Sequence, residues 1–99
     1  MFEICFSESV DQELKKFRVR DQRIILDAIE KQLRRDPEIE TRKRKKLECL
    51  VPPFEAIPPI WELRVGEFRV FYDVDREQKI VLVRAIRRKP AHKTIGEAL

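Results

Sequence analysis

From Trp61 to Ile86 the chain is written almost entirely in a two-residue period, and that constrains its fold more than any other feature. Trp61, Leu63 and Val65 alternate with Glu62 and Arg64; Phe68, Val70, Tyr72 and Val74 alternate with Arg69, Phe71 and Asp73; Ile80 to Ile86 is rich in β-branched residues. Alternation of this kind specifies strands with one apolar face. Gly66 and Glu67 fit a two-residue turn of the Gly-X kind, which sets the register. Val65 then stands opposite Phe68, Arg64 opposite Arg69, and Glu62 opposite Phe71. The result is an antiparallel meander whose apolar face needs a cover.

The first third of the chain supplies that cover. Phe2, Ile4 and Phe6 alternate with Glu3, Cys5 and Ser7 as a short opening strand. Ser9 with Gln12 has the form of a capping box, and Val10, Leu14 and Phe17 follow at helical spacing, predicting a helix to about Arg18. Asp21 caps a second predicted helix in which Ile24, Ile25, Ala28, Ile29 and Leu33 make one stripe, with Arg23, Asp27, Glu30 and Lys31 turned to water. Asp36 and Pro37 end it. The expected fold is α+β: an N-terminal strand, then a helical hairpin packed on the meander. Residues 38–60, with the basic run Arg42 to Lys46, the apolar patch Leu47 to Val51 and two proline pairs, are expected to form a surface loop with at most one helical turn near Leu47. The tail from Ala91 to Leu99 fits either a short final helix or an open end.

Residues 1–99 are too few for two cores, so one domain is expected. Lysine and arginine total 22 against 18 aspartate and glutamate, a net +4, and the positive charge is segregated: no acid lies between Lys79 and Lys93. Segregated charge suits a polyanion or an acidic partner. MFEICFSES lacks the charged and apolar regions of a signal peptide, and no run reaches the length of a membrane span, so a cytoplasmic protein with no membrane association is expected. Cys5, Cys49 and His92 stand at no metal-binding spacing; neither a metal nor another cofactor is expected, and both cysteines read as small hydrophobes.

Several residues are candidates for function. Arg64 and Arg69, opposed on one exposed face of adjacent strands, repel each other unless a phosphate or an acidic partner supplies the counter-charge. Arg87, Arg88 and Lys89 end the last strand at the edge of the same face. Arg42, Lys43, Arg44, Lys45 and Lys46 form a basic run suited to RNA or an acidic protein, and Phe71 shares the arginine face, where it can stack on a base or lie under a partner. His92, the one histidine, is the natural acid or base near neutral pH. Trp61 and Tyr72 fall on the core face.

The block WELRVGEFRVFYDVD, residues 61–75, resembles the central hairpin of the RelE/ParE superfamily of bacterial toxins, and Thr41 to Leu47 resembles the basic segment that precedes this hairpin in one branch. The order of elements matches over nearly the whole chain. The resemblance implies the toxin of a type II toxin–antitoxin pair, masked by a small acidic antitoxin. Such toxins cut messenger RNA, commonly on the ribosome, or in the ParE branch poison DNA gyrase; an inactive member would only bind its antitoxin or RNA. By motif position Arg69 matches the arginine that follows the turn and aromatic, Arg64 an often basic position, and Arg87, Arg88 and Lys89 the basic group after the last strand. Several ribonuclease members carry a tyrosine where this chain has Ile95. If RNA is cut, Arg69 and Arg64 are the cations that steady the transition state, His92 or Lys89 the acid, and Glu62 a base.

Overall fold

The computed structural model describes residues 1–48 and 51–89. Its centre is the expected hairpin: β3 (Ile60–Val65) and β4 (Phe68–Asp75) pair antiparallel, with Val65 opposite Phe68, Arg64 opposite Arg69 and Glu62 opposite Phe71. Gly66 adopts φ +57°, the left-handed value that the first position of this turn requires. β5 (Ile80–Arg88) continues the meander, and β1 (Glu3–Phe6) adds to it in parallel. Between β1 and the second edge strand lie α1 (Glu8–Lys15) and α2 (Val19–Leu33). The strand order is β1-β5-β4-β3-β2, a mixed five-stranded sheet in an α+β fold.

Three local expectations need correction. Part of the basic run is a strand, β2 (Arg44–Leu47), rather than loop or helical turn; it pairs antiparallel with β3, Arg44 opposite Leu63 and Leu47 opposite Ile60. Three consecutive cations carry no apolar alternation, so its structure comes from the ladder offered by β3, and a lysine-bearing edge also discourages further pairing. The capping box at Ser9 does not form, because α1 already begins at Glu8. Ser7 takes the cap position in extended backbone, and its hydroxyl turns to the Ser9 hydroxyl and the Arg84 carbonyl. Finally, α1 stops at Lys15 and α2 starts at Val19, which puts Asp21 inside the first turn of α2 rather than at its cap. Its carboxylate there still favours the positive end of the helix dipole.

The inner face of the sheet carries the main core. Val10 and Leu14 of α1 and Ile25, Ile29 and Leu33 of α2 are buried against Trp61, Leu63, Val65, Phe68, Val70, Tyr72, Val81, Val83 and Ile86. Each full burial of an aliphatic side chain is worth about 1.5–3 kcal/mol. Ile24, expected in the stripe, is 47% exposed instead. Phe17 meets Phe68 edge to face with ring centroids 4.9 Å apart. The Tyr72 hydroxyl donates to the Pro37 carbonyl at 2.6 Å. Burial pushes its pKa well above the ordinary phenol range, with Arg44 lowering it and Glu38 raising it, so this donor keeps its proton.

The outer face is divided. Toward one end, Ile60, Phe71 and Ala85 make a second small core covered by Leu47, Phe54 and Ala56. Phe71 is fully buried there, its ring 5.7 Å from that of Phe54, so the open stacking surface expected of it is absent. The covering segment is pinned by Asp73, which accepts from the Ile57 amide at 2.9 Å and from Arg84 Nε at 2.7 Å. A bulge aims Arg84: pairing steps from Phe71–Ala85 to Tyr72–Val83, leaving Arg84 as an extra residue, so Arg84 and Ala85 both face outward. Ile86 then returns to the inner core and Arg87 to the outer side.

Gly66 gives a direct check on the hairpin. Among the described residues, leaving aside its two chain neighbours, no atom lies within 4 Å of where a Cβ would stand, so substitution there meets only the backbone cost of φ +57°. Gly66→Ala is expected to cost about 1–2 kcal/mol, lowering the melting temperature by roughly 4–15 °C, with Gly66→Asn costing less because asparagine tolerates this conformation.

Candidate functional site

The other end of the outer face is open and forms a cleft of about 460 Å³. Strand alternation builds it: Lys45 of β2, Glu62 and Arg64 of β3 and Arg69 of β4 all project to this side, and Lys89 joins them just after β5. The amide of Lys89 donates to the Glu67 carbonyl at 2.8 Å, which ties the end of the chain segment to the hairpin turn. Arg42 and Lys43 reach the rim through a turn that the sequence reading did not single out. In it, Thr41 Oγ1 accepts from the amides of Lys43 at 3.2 Å and Arg44 at 3.1 Å. A threonine three residues before the strand was the available signal for this turn. The Lys43 carbonyl then accepts from the Arg64 amide at 2.7 Å and extends the ladder.

The two opposed arginines have different environments. Arg69 is 5% exposed rather than exposed as expected, and its Nη1 donates to the carbonyls of Gly66 and Phe68, each at 2.8 Å. Its Nε lies 3.6 Å from Glu62 Oε1. Burial lowers the Arg69 pKa from its ordinary value; Glu62 opposes that shift and the neighbouring Arg64 adds to it. Glu62 thus supplies the counter-charge that the arginine pair needs. Arg64 remains exposed, and among the described residues no carboxylate pairs with it. Glu62 holds a second feature: its Oε2 is buried and has no hydrogen-bond partner among the described residues. Glu62 lines the cleft together with Lys45, Arg64, Arg69 and Lys89, which places a carboxylate beside whatever anion those cations hold.

The remaining candidates lie elsewhere. Arg44 turns to the inner side, where its Nη1 donates to the carbonyls of Gln32 at 2.6 Å and Asp36 at 2.7 Å and so caps the end of α2. Lys46 also points inward and pairs with Glu48 at 3.6 Å. Arg87 forms an ion pair with Glu13 of α1 and lies over the Phe54 ring, and burial lowers its pKa. Arg88 points to the opposite face from the cleft, paired with Glu67 and 4.8 Å above the Phe68 ring. Plain alternation after the bulge sends Arg87 and Arg88 to opposite faces and brings Lys89 back to the side of the cleft. Phe71 is under the covering segment, and His92 lies outside the described residues. The structure therefore brings together Arg42, Lys43, Lys45, Glu62, Arg64, Arg69 and Lys89. Among the described residues no cluster of His, Cys, Asp and Glu could hold a metal ion, and no helix is long and apolar enough to cross a membrane.

Comparison with known proteins adds a lineage to this geometry. A family model described as the ParE toxin of the type II toxin–antitoxin system, parDE, matches residues 4–89. Solved structures share the fold. The RelBE2 toxin–antitoxin complex of Mycobacterium tuberculosis superposes with a TM-score of 0.71 at 19% identity, covering 89% of this chain and 98% of that one. A chain of the archaeal RelE–RelB complex of Pyrococcus horikoshii does so at 0.68 and 19%, covering 94% and 98%. The isolated RelE toxin of Escherichia coli does so at 0.71 and 18%, covering 99% and 95%. No curated protein matches at the sequence level.

Proposed function

Since the chain belongs to the ParE toxin family, within the RelE/ParE superfamily, and is a toxin of a type II toxin–antitoxin system, we propose that it acts as a metal-independent endoribonuclease on translated messenger RNA. The observation that carries this reading is Glu62, a carboxylate that lines a cleft together with Arg42, Lys43, Lys45, Arg64, Arg69 and Lys89. Binding a polyanion needs cations alone; a carboxylate held among them weakens binding and is useful when a proton must be taken.

The proposed chemistry draws on the side chains that line the cleft. Arg42, Lys43, Lys45 and Arg64 draw the phosphodiester backbone into the cleft. Glu62 removes the proton from a ribose 2′-hydroxyl, whose oxygen attacks the adjacent phosphorus. Arg64 and Lys89 steady the charge that builds on the phosphoryl oxygens, and Lys89 protonates the departing 5′-oxygen. The products are a 2′,3′-cyclic phosphate and a free 5′-hydroxyl. Arg69, being buried, acts through Glu62. The partner that silences the protein is a small acidic antitoxin, a reading supported by the RelB-bound relatives and by the charge of the cleft.

A second reading has its own support, since the matching family model is named for ParE: a gyrase poison would use the cations and leave Glu62 without a catalytic task. Controlled induction followed by mapping of RNA 5′ ends, with plasmid supercoiling measured in the same cells, separates the two. New 5′-hydroxyl ends inside translated messages, with supercoiling unchanged, are expected. Intact messages with broken or relaxed DNA would sink the ribonuclease reading in favour of gyrase, and neither change would leave a protein that only binds.

A further inference from the structure

The cleft does not end at its own cations. Among the described residues Leu47 is the one apolar side chain that lines it, and Leu47 also borders a second cavity, of about 510 Å³. This cavity lies at the edge of the sheet, where β2 ends and β3 begins, and Leu47, Val51, Pro58, Pro59 and Ile60 give it apolar walls. Lys46 and Glu48 complete the lining as an ion pair at 3.6 Å, open to water on both sides. Val51 is 91% exposed, so the fold leaves an apolar side chain uncovered at this place. Apolar walls with a few polar groups, in a space of this size, are the usual form of a site for a small organic group.

Strand register ties the cavity to the proposed chemistry. Lys45 stands opposite Glu62 and Leu47 opposite Ile60, so Leu47 and Glu62 are diagonal neighbours on the outer face of one strand pair. In a ribonucleotide the base sits on the carbon next to the one that carries the 2′-hydroxyl. A ribose whose 2′-hydroxyl lies at Glu62 therefore has its base within one ring of Leu47. Every other side chain lining the cleft among the described residues is polar, so an apolar ring face leaves water at least cost in the direction of Leu47. Resting on the ribonuclease reading above, we infer that the cavity beyond Leu47 takes the base of the nucleotide immediately 5′ of the cut. Cations attract every phosphate of a strand alike. A seated base fixes which of them lies beside Glu62. The apolar walls suit the faces of any base, while Lys46 and Glu48 offer a donor and an acceptor to its edge.

The test removes one base at a time. The probe is a fluorescent RNA of about six nucleotides, carrying 2′-fluoro groups in place of the hydroxyls so that it is bound without being cut. Each position in turn is made abasic, and the unmodified RNA of the same sequence shows where the cut falls. With the full chain, loss of the base 5′ of the cut is expected to weaken binding about tenfold, and loss of the others to matter far less. Val51→Ser and Leu47→Ala, with folding checked by circular dichroism, should largely abolish that penalty and bind the abasic strand as the unaltered protein does. Val51 is exposed, so its variant keeps the test sound if Leu47→Ala fails to fold. Val19→Ser, at an exposed apolar position on α2, should keep the full penalty. RNA that is cut with no dependence on that base, or a penalty undiminished in Val51→Ser, would overturn the inference and leave the ribonuclease reading standing. A base penalty that these variants abolish, in a protein that cuts no RNA, would overturn the ribonuclease reading and keep the site. A protein that takes up no RNA would end both.

Discussion

Glu62→Gln is expected to lower RNA cleavage by about 10²–10⁴-fold, the range for losing a positioned general base, while RNA binding stays level or tightens. The substitution keeps the shape of the side chain and its carbonyl oxygen toward Arg69, but an amide does not accept a proton at neutral pH. It also removes one of the two carboxylates that line the cleft, Glu40 being the other, so a polyanion meets a more favourable field. The amide no longer balances the Arg69 charge 3.6 Å away, but the two carbonyl contacts of Arg69 remain, so the cost should stay below the about 3–5 kcal/mol of a buried pair broken outright, leaving a domain of ordinary stability folded. Single-turnover cleavage beside filter binding on the same preparation reads both quantities. Undiminished cleavage by Glu62→Gln would remove this carboxylate from the mechanism, and a parallel loss of binding would make it a structural residue.

Arg69→Ala should unfold the protein far more readily than Arg64→Ala, although the two arginines face each other across one hairpin. Removing Arg69 leaves the carbonyls of Gly66 and Phe68 without their shared donor and leaves Glu62 as a nearly buried charge with its counter-ion gone. Breaking a buried pair from one side costs about 3–5 kcal/mol, a large share of the roughly 5–15 kcal/mol that hold a small domain together. Arg64 is exposed, and its removal relieves repulsion, so its change should stay within about 0.5 kcal/mol. Arg69→Lys should recover little, because a single ammonium cannot span two carbonyls and a carboxylate as a guanidinium does. Thermal melts of the three variants decide the matter. An Arg69→Ala protein that melts within about 2 °C of the parent, well under the shift for 1 kcal/mol, would show that these contacts contribute little.

The contrast between these arginines marks where the amino-acid pattern stopped being informative. Alternation and the Gly66-Glu67 turn are local signals, and they were enough to place Arg64 opposite Arg69 and Trp61 and Tyr72 in the core. Burial of a charge is not local. Nothing between Phe68 and Val70 announces that the side chain of Arg69 will fold back on the turn, since the acceptors are backbone carbonyls common to every sequence. The same holds for β2, whose lysines and arginine have no strand preference of their own, and for Phe71, covered by a segment some fifteen residues earlier whose course depends on Asp73 and Arg84. Of the basic run, alternation in a strand nobody could read from its composition sent Arg44 and Lys46 inward and left Lys45 at the cleft, while the turn at Thr41 brought Arg42 and Lys43 to its rim.

The extra residue in β5 also determines how the length of this chain can vary. In a regular strand, losing one residue sends every later side chain to the other face of the sheet. Here the loss of Arg84 would instead restore plain alternation: Val83 inward, Ala85 outward, Ile86 inward, Arg87 outward, and Lys89 still at the cleft. A single-residue deletion at this point therefore leaves the arrangement of inner and outer side chains as it is. What it removes is the cation that neutralises Asp73, which is 2% exposed. A chain shorter by that residue has no use for a carboxylate at position 73 and would need another way to hold down the segment around Ile57.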